Sequence, residues 1–170
     1  NVLILEDFKS NGFQNIDDYK VEHIYAVVKW LAQFHAQGFT LINSKPFPLG
    51  GYWHLETRPD EFERMEFIDL KRHARYLADS LYKAKYQTLI HGDSKLANYA
   101  FDDCYKVLGY DFQYVGSGIG LQDVMLFMTS VFNGEECAKY EESLLNLYFE
   151  SLNKALSNTM SIKEYELLEH

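Results

Sequence analysis

Apolar residues at Ile24, Val27, Val28, Leu31 and Phe34 form a stripe at helical spacing. It predicts an α-helix over residues 21–37, with Asp18 as its N-cap and Gly38 as its stop. A second stripe, Phe62, Met65, Ile68, Tyr76, Leu77 and Leu81, predicts a helix over 61–85. Between the two, residues 39–60 hold all three prolines and Gly50-Gly51 and are expected to form a long irregular loop. The period then shortens. "QTLI", "NYAF" and "KVLGYD" read as short strands, the last two joined through the turn residues Asp102-Asp103. Helical spacing returns over 122–132, breaks at Asn133-Gly134 and resumes through "YEESLLNLYFESLNKAL". The chain opens on "NVLILED", which reads as an apolar strand, and passes into the turn-rich "KSNGFQN". Too few strands alternate with helices for a doubly wound sheet, so the expected class is α+β, a mainly helical lobe with a small β-hairpin.

Composition narrows the possibilities. At 170 residues and 47% hydrophobic the chain can bury one sizeable core, which favours a single domain. A net charge of −9 would repel a phosphate backbone, which argues against nucleic acid. No apolar run approaches the roughly 20 residues that span a bilayer and no leader opens the chain, so no membrane partner is expected and the cytoplasm is the expected compartment. Cys104 and Cys137 have no CxxC spacing and are expected to be free thiols. The 13 Tyr and 12 Phe fall mostly at helical spacing and read as core rather than as a stacking platform. His23, His54 and His73 have no second ligand at i, i+4, which speaks against zinc. "GSGIG" at 116–120 lacks the glycine a dinucleotide fingerprint needs at 121, where Leu121 stands, and reads as a plain flexible turn. The closing "LEH", Leu168 to His170, resembles the start of a vector-derived tag and is set aside.

The segment "LIHGDSKLANYAFDDCYKVLGYDFQ", residues 89–113, places polar residues at the edges of β-like runs, where side chains are held rigidly. Phosphoryl transfer needs a carboxylate to orient a hydroxyl and oxygen ligands to hold Mg²⁺ against the phosphates. Asp93, Asn98 and Asp111 supply that set, and a hairpin between the second and third strands would bring Asn98 and Asp111 together. The alternative for each residue singly is a turn or strand cap.

"HGDSKLAN" followed by "YDFQ" resembles the signature of the aminoglycoside phosphotransferase and choline kinase superfamily, small-molecule kinases related to the protein kinases. Protein kinases carry H-R-D with four residues before the Asn, then D-F-G. Here Gly92 stands in place of the Arg and Gln113 in place of the last Gly. The resemblance implies ATP as co-substrate, Mg²⁺ as cofactor and a small-molecule hydroxyl as acceptor. It implies that Asp93 is the catalytic base and that Asn98 and Asp111 are the metal ligands. His91 would support the loop, Lys95 would match a lysine that touches the transferred phosphate, and Asp123 in "LQDVMLF" would cap the next helix and brace the loop. "LILEDF" resembles the hinge between kinase lobes, which makes the peptide groups of Leu5, Glu6 and Asp7 candidates for reading the nucleotide. "WLAQFHA" resembles the following helix, with His35 as a packing residue.

On this reading residues 1–8 end the hinge strand and 9–167 form the C-terminal lobe, with an N-terminal lobe expected in the intact protein. Trp53 and the acidic "ETRPDEFE" lie where such enzymes receive their acceptor. They could suit a cationic substrate or form a solvated loop and helix start. A kinase-like lobe that has lost turnover and serves as a binding or regulatory module is the second reading. An ordinary protein kinase is disfavoured by the absence of D-F-G and A-P-E.

Overall fold

The structure, a computed structural model, describes residues 6–44, 46–52 and 54–159. Its elements in chain order are α1 (Val21–Ser44), α2 (Pro59–Arg64), α3 (Ile68–Tyr82), β1 (Thr88–Ile90), β2 (Tyr99–Phe101), β3 (Val107–Gly109), β4 (Gly116–Gly118), α4 (Leu121–Val131) and α5 (Gly134–Thr159). Short 3-10 turns cover Phe8–Asn11 and Leu96–Asn98. The fold is α+β and mainly helical, as the hydropathy pattern predicts.

The core lies where α1, α4 and α5 meet. Ile24, Val27, Val28 and Leu31 of α1 face Val124, Phe127 and Met128 of α4, and Leu144, Leu152 and Leu156 of α5 close the third side. Each is nearly or fully buried, worth about 1.5–3 kcal/mol per large side chain against exposure. The β2–β3 hairpin caps this core with Tyr99 and Phe101. Gly109 lets it lie flat on Trp30, since a Cβ there would come within 2.6 Å of the indole ring.

Several expected boundaries moved. Helix α1 does not stop at Gly38 but runs to Ser44. Gly38 is needed inside it because a Cβ there would lie 2.4 Å from Thr88 Oγ1 and 2.6 Å from the Leu89 nitrogen, so the glycine lets β1 pack directly on the helix. At the other end Lys20, not Asp18, holds the cap position. Its N–H donates to His23 Nδ1 at 2.9 Å, the return half of a capping box. Burial, with Lys20 nearby, lowers the His23 pKa and keeps that nitrogen an acceptor.

The helix expected over 61–85 is two, broken by extended backbone at Met65 and Phe67. The loop expected over 39–60 shrinks to the stretch between α1 and α2. "GSGIG" is not a free turn: Gly116–Gly118 forms β4, antiparallel to β1, with Thr88 opposite Gly118 and Ile90 opposite Gly116. A Cβ at Gly116 would lie 2.5 Å from the Pro48 carbonyl and one at Gly118 2.6 Å from Ile90 Cδ1. The glycines therefore serve close packing rather than flexibility. The last helix begins at Gly134, earlier than its apolar stripe. Asn133 and Glu136 exchange backbone and side-chain hydrogen bonds at 3.0 Å each, a capping box. Of the opening strand, Leu5 lies outside the described residues, as do Trp53 and residues 168–170. Glu6 and Asp7 are not in a strand but lead into the 3-10 turn.

Candidate active site

The loop from His91 to Lys95 leaves β1 and turns into Leu96–Asn98. Three anchors fix it. The Asp123 carboxylate, on the first turn of α4, accepts the backbone N–H of His91 at 2.6 Å (Oδ2) and of Gly92 at 2.9 Å (Oδ1). That carboxylate is spent on the loop and does not cap its own helix. Ser130 Oγ accepts the Leu96 N–H at 3.0 Å, tying the short turn to α4. The third anchor is backbone: the Gly92 carbonyl accepts the Tyr52 N–H at 2.7 Å, and the Tyr114 carbonyl accepts the Gly51 N–H at 3.0 Å. Gly92 has φ +83°, and a Cβ would lie 2.1 Å from the Tyr114 carbonyl oxygen. No side chain fits where the protein kinases carry Arg.

Asp93 is 4% exposed. Its Oδ2 accepts Lys95 Nζ at 2.9 Å and Asn98 Nδ2 at 3.0 Å, and the same Asn98 amide donates to the Asp93 carbonyl at 2.8 Å. Both side-chain bonds fall on one oxygen. Oδ1 takes none from the described residues, and no buried side-chain oxygen there lacks a partner, so Oδ1 opens to the surface. Asn98 is in the same position: its side-chain nitrogen is committed to Asp93 and its side-chain oxygen Oδ1 is left outward. The bond to Asp93 holds the Lys95 ammonium above its usual range.

The β2–β3 hairpin brings Asp111 alongside. The Tyr110 N–H donates to the Asn98 carbonyl at 3.1 Å, so Asp111 leaves the hairpin directly beside Asn98. Its carboxylate acts electrostatically on both His91 and Lys95. Asp111 has φ +63°, a left-handed conformation that a non-glycine residue adopts at a cost, and such residues concentrate at functional sites.

His91 joins the two halves. It is fully buried, its Nε2 donates to the Tyr110 carbonyl at 2.9 Å, and its Nδ1 accepts the Asp93 N–H at 3.3 Å. Only a neutral ring can do both. Burial accordingly lowers its pKa, against the opposing pull of Asp123. Phe112 lies on the other side of the ring at 4.5 Å between centroids.

Glu6 and Asp7 reach the same neighbourhood through Phe8, which stacks on Tyr110 at 5.2 Å. Their polar groups are partly engaged: the Asp7 side chain accepts the Lys9 N–H, its carbonyl accepts Ser10 Oγ, and Glu6 accepts Asn11 Nδ2. Hydropathy did not show the role of His35, which is no mere packing residue but a bridge between Asp123 and Tyr148 of α5. The available signal was a polar ring on the fully apolar face of α1.

A cavity of about 570 Å³ opens on the other side of the 49–58 stretch. Leu49, Phe62, Met65, Leu70, Leu77 and Leu81 give it apolar walls. The acidic run beside it does not make an acidic pocket: of its residues Glu56 lines the cavity together with Asp79, both largely exposed, Arg58 brings a positive charge to the same wall, and Glu61 pairs with Arg58 at 3.2 Å. Arg58 lines the cavity and lies over the Tyr52 ring at 4.2 Å, so the cavity wall and the Asp93 loop are joined through Tyr52.

Mg²⁺ fits the donor chemistry of Asn98 and Asp111, one outward amide oxygen and one exposed carboxylate. That ion commonly takes one or two carboxylates and completes its shell with water and phosphate. Among the described residues no three His, Cys, Asp or Glu side chains gather as a self-sufficient metal cage, and no helix is long and apolar enough to cross a membrane. Cys104 and Cys137 are free.

No curated protein matches the chain. A family model does, over residues 1–65 and again over 52–160, and the second match contains the Asp93 loop, Asn98, Asp111 and Asp123. The chain belongs to the ecdysteroid kinase-like family, within the protein-kinase-like and choline kinase-like kinases.

Proposed function

We propose that the chain is the C-terminal lobe of an ATP- and Mg²⁺-dependent phosphotransferase that acts on a hydroxyl of a small apolar molecule. The observation that carries this reading is the division of labour at Asp93: Oδ2 is held by Lys95 and Asn98, and Oδ1 is left open. An acceptor hydroxyl donating to Oδ1 would be oriented for in-line attack on the γ-phosphate, and the carboxylate can take its proton as the new P–O bond forms. Asn98 and Asp111 would hold the metal, which when bound neutralises charge on the phosphate oxygens. Lys95 adds a positive charge at the same place. Glu6 and Asp7, joined to Tyr110 through Phe8, would offer their peptide groups to the nucleotide, and an N-terminal lobe in the intact protein would complete the phosphate grip.

The cavity favours an apolar acceptor over the cationic one its acidic neighbours suggest in sequence, since its walls are mostly aliphatic and aromatic and the two acids that line it, Glu56 and Asp79, are offset by Arg58 in the same wall. The family's name points the same way. A lobe that had lost turnover would have no use for an oriented, half-open carboxylate beside an intact amide and acid pair.

The test is transfer of labelled γ-phosphate from ATP by the intact protein to a panel of steroid-like and other apolar alcohols, with choline and an aminoglycoside as contrasts. Transfer to an apolar alcohol is expected, and Asp93→Asn should lower kcat by about 10²–10⁴, the usual range for general acid–base groups. A loss below about fivefold would remove Asp93 from the chemistry.

A further inference from the structure

Tyr148 stands in a row of aliphatic residues, Leu144, Leu152 and Leu156, where α5 faces the core, and it is 3% exposed. A phenol buried there needs a partner for its hydroxyl. It has one: Tyr148 Oη lies 2.9 Å from His35 Nδ1. His35 is itself fully buried, and its Nε2 lies 3.0 Å from Asp123 Oδ2. Asp123 in turn holds the backbone N–H groups of His91 and Gly92, the two residues before Asp93. Gly120 makes room for this line of contacts, since a Cβ there would lie 2.3 Å from Tyr148 Oη and 2.6 Å from His35 Nδ1. Side chains from α5, α1 and α4 thus converge on one loop.

The proton positions follow from the partners. Asp123 as a carboxylate only accepts, so His35 must donate from Nε2. With the hydrogen on Nε2, Nδ1 can accept, and the Tyr148 hydroxyl is placed to supply the hydrogen. Burial, with Asp123 nearby, holds the Tyr148 hydroxyl far above its ordinary pKa, which keeps it protonated and able to donate. Every group has one consistent role.

We propose that Tyr148 is a positioning residue for Asp93: its hydroxyl holds the His35 ring in the place from which Nε2 orients Asp123, and Asp123 sets the backbone from which Asp93 projects. Without the hydroxyl, the buried Nδ1 loses its partner. The ring can then tilt out of line with the Asp123 carboxylate, which loses its aim and frees the loop. A displacement of about 1 Å in a catalytic group can cost on the order of 10²-fold in rate. The rate arm of this proposal rests on the phosphotransferase reading, whereas its hydrogen-bond arm does not.

The experiment is a double-mutant cycle in the intact protein, read by kinetics and by ¹⁵N spectra of the histidine side chains. Tyr148→Phe should lower kcat about tenfold or more with KM for ATP and acceptor nearly unchanged, because the binding surfaces are untouched. In a His35→Gln background, where the amide donates to Asp123 without needing Tyr148, the same change should cost less than about twofold. The parent's His35 should show a protonated Nε2 and a bare Nδ1, and Tyr148→Phe should move the Nδ1 resonance, which loses its hydrogen-bond donor, and shift the His91 and Gly92 amide resonances. Full kcat in Tyr148→Phe, equal losses in both backgrounds, or a parent His35 protonated at Nδ1 would each overturn the proposal. If the parent transfers no phosphate to any acceptor but the spectra behave as expected, the phosphotransferase reading fails and the hydrogen-bond line stands.

Discussion

Gly92 combines two constraints that other glycines of the chain show singly, which makes the loop geometry testable by alanine substitution. Its φ is +83°, and a Cβ would meet the Tyr114 carbonyl oxygen at 2.1 Å and the Gly51 nitrogen at 2.8 Å. Gly12 has almost the same φ, +82°, with open space around it. Gly38 has helical backbone, but its Cβ would collide with Thr88 and Leu89. Gly12→Ala should therefore show backbone strain alone, about 1–2 kcal/mol. Gly38→Ala should gain about 1 kcal/mol of helix propensity and lose about 1–3 kcal/mol or more to overlap, a net loss because the obstacle includes backbone. Gly92→Ala carries strain and overlap together, about 2–5 kcal/mol.

For a chain of this size about 2–4 °C of Tm accompanies each kcal/mol, so Gly92→Ala should lower Tm by about 4–20 °C and Gly12→Ala by about 2–8 °C. Urea unfolding followed by circular dichroism, with thermal scans alongside, gives all three. If Gly92→Ala came within about 0.5 kcal/mol of Gly12→Ala, the limit to which independent effects add, the contact of residue 92 with residues 51 and 114 would be wrong. The loop argument would fall with it.

Other consequences can be read separately. ATP with Mg²⁺ at a hundred times Kd should stabilise the intact protein by about 2.7 kcal/mol, and Asp111→Asn should abolish the shift; an equal shift in the mutant would remove Asp111 from the metal site. His91 is buried neutral with a folded pKa below its ordinary value of 6.5, so the folded state binds fewer protons than the unfolded chain across that window. Its contribution to stability should be fully present above about pH 6.5 and be lost as pH falls through the depressed folded value. In urea titrations between pH 8 and 5, His91→Gln should flatten that slope, and an unchanged slope would place the titration elsewhere. A charge on the cavity wall, Leu77→Lys, should raise KM for the acceptor about tenfold or more and leave KM for ATP unchanged; equal effects on both would deny the cavity its role.

The candidate site was legible in sequence because it is local. Asp93, Asn98 and Asp111 lie within one short segment, and a hairpin read from "NYAF" and "KVLGYD" is enough to bring the last two together. What could not be read depends on pairs of residues far apart in sequence. Gly38 carries a local stop signal, and only the presence of Thr88 and Leu89 against it explains why α1 continues. Gly116 and Gly118 look like a flexible turn until Pro48, Gly50 and Ile90 are seen to occupy the space their side chains would need. His35 and Tyr148 each look like packing residues, since only the fold reveals that their polar atoms meet.

These long-range pairs also decide how the site is held. Asp93 has two kinds of support: side chains within its own segment, Lys95 and Asn98, and backbone contacts brought from elsewhere by Asp123 and by the 50–52 stretch. Local support fixes the carboxylate's orientation, and distant support fixes where the loop stands. The 50–52 stretch belongs to both the loop and the cavity, with Gly50 in the cavity wall and Tyr52 bonded to Gly92. An acceptor that pressed on that wall would therefore press on the backbone one residue from Asp93. Binding and alignment would be coupled through Tyr52, and a substrate too small to reach the wall should lose kcat as well as affinity.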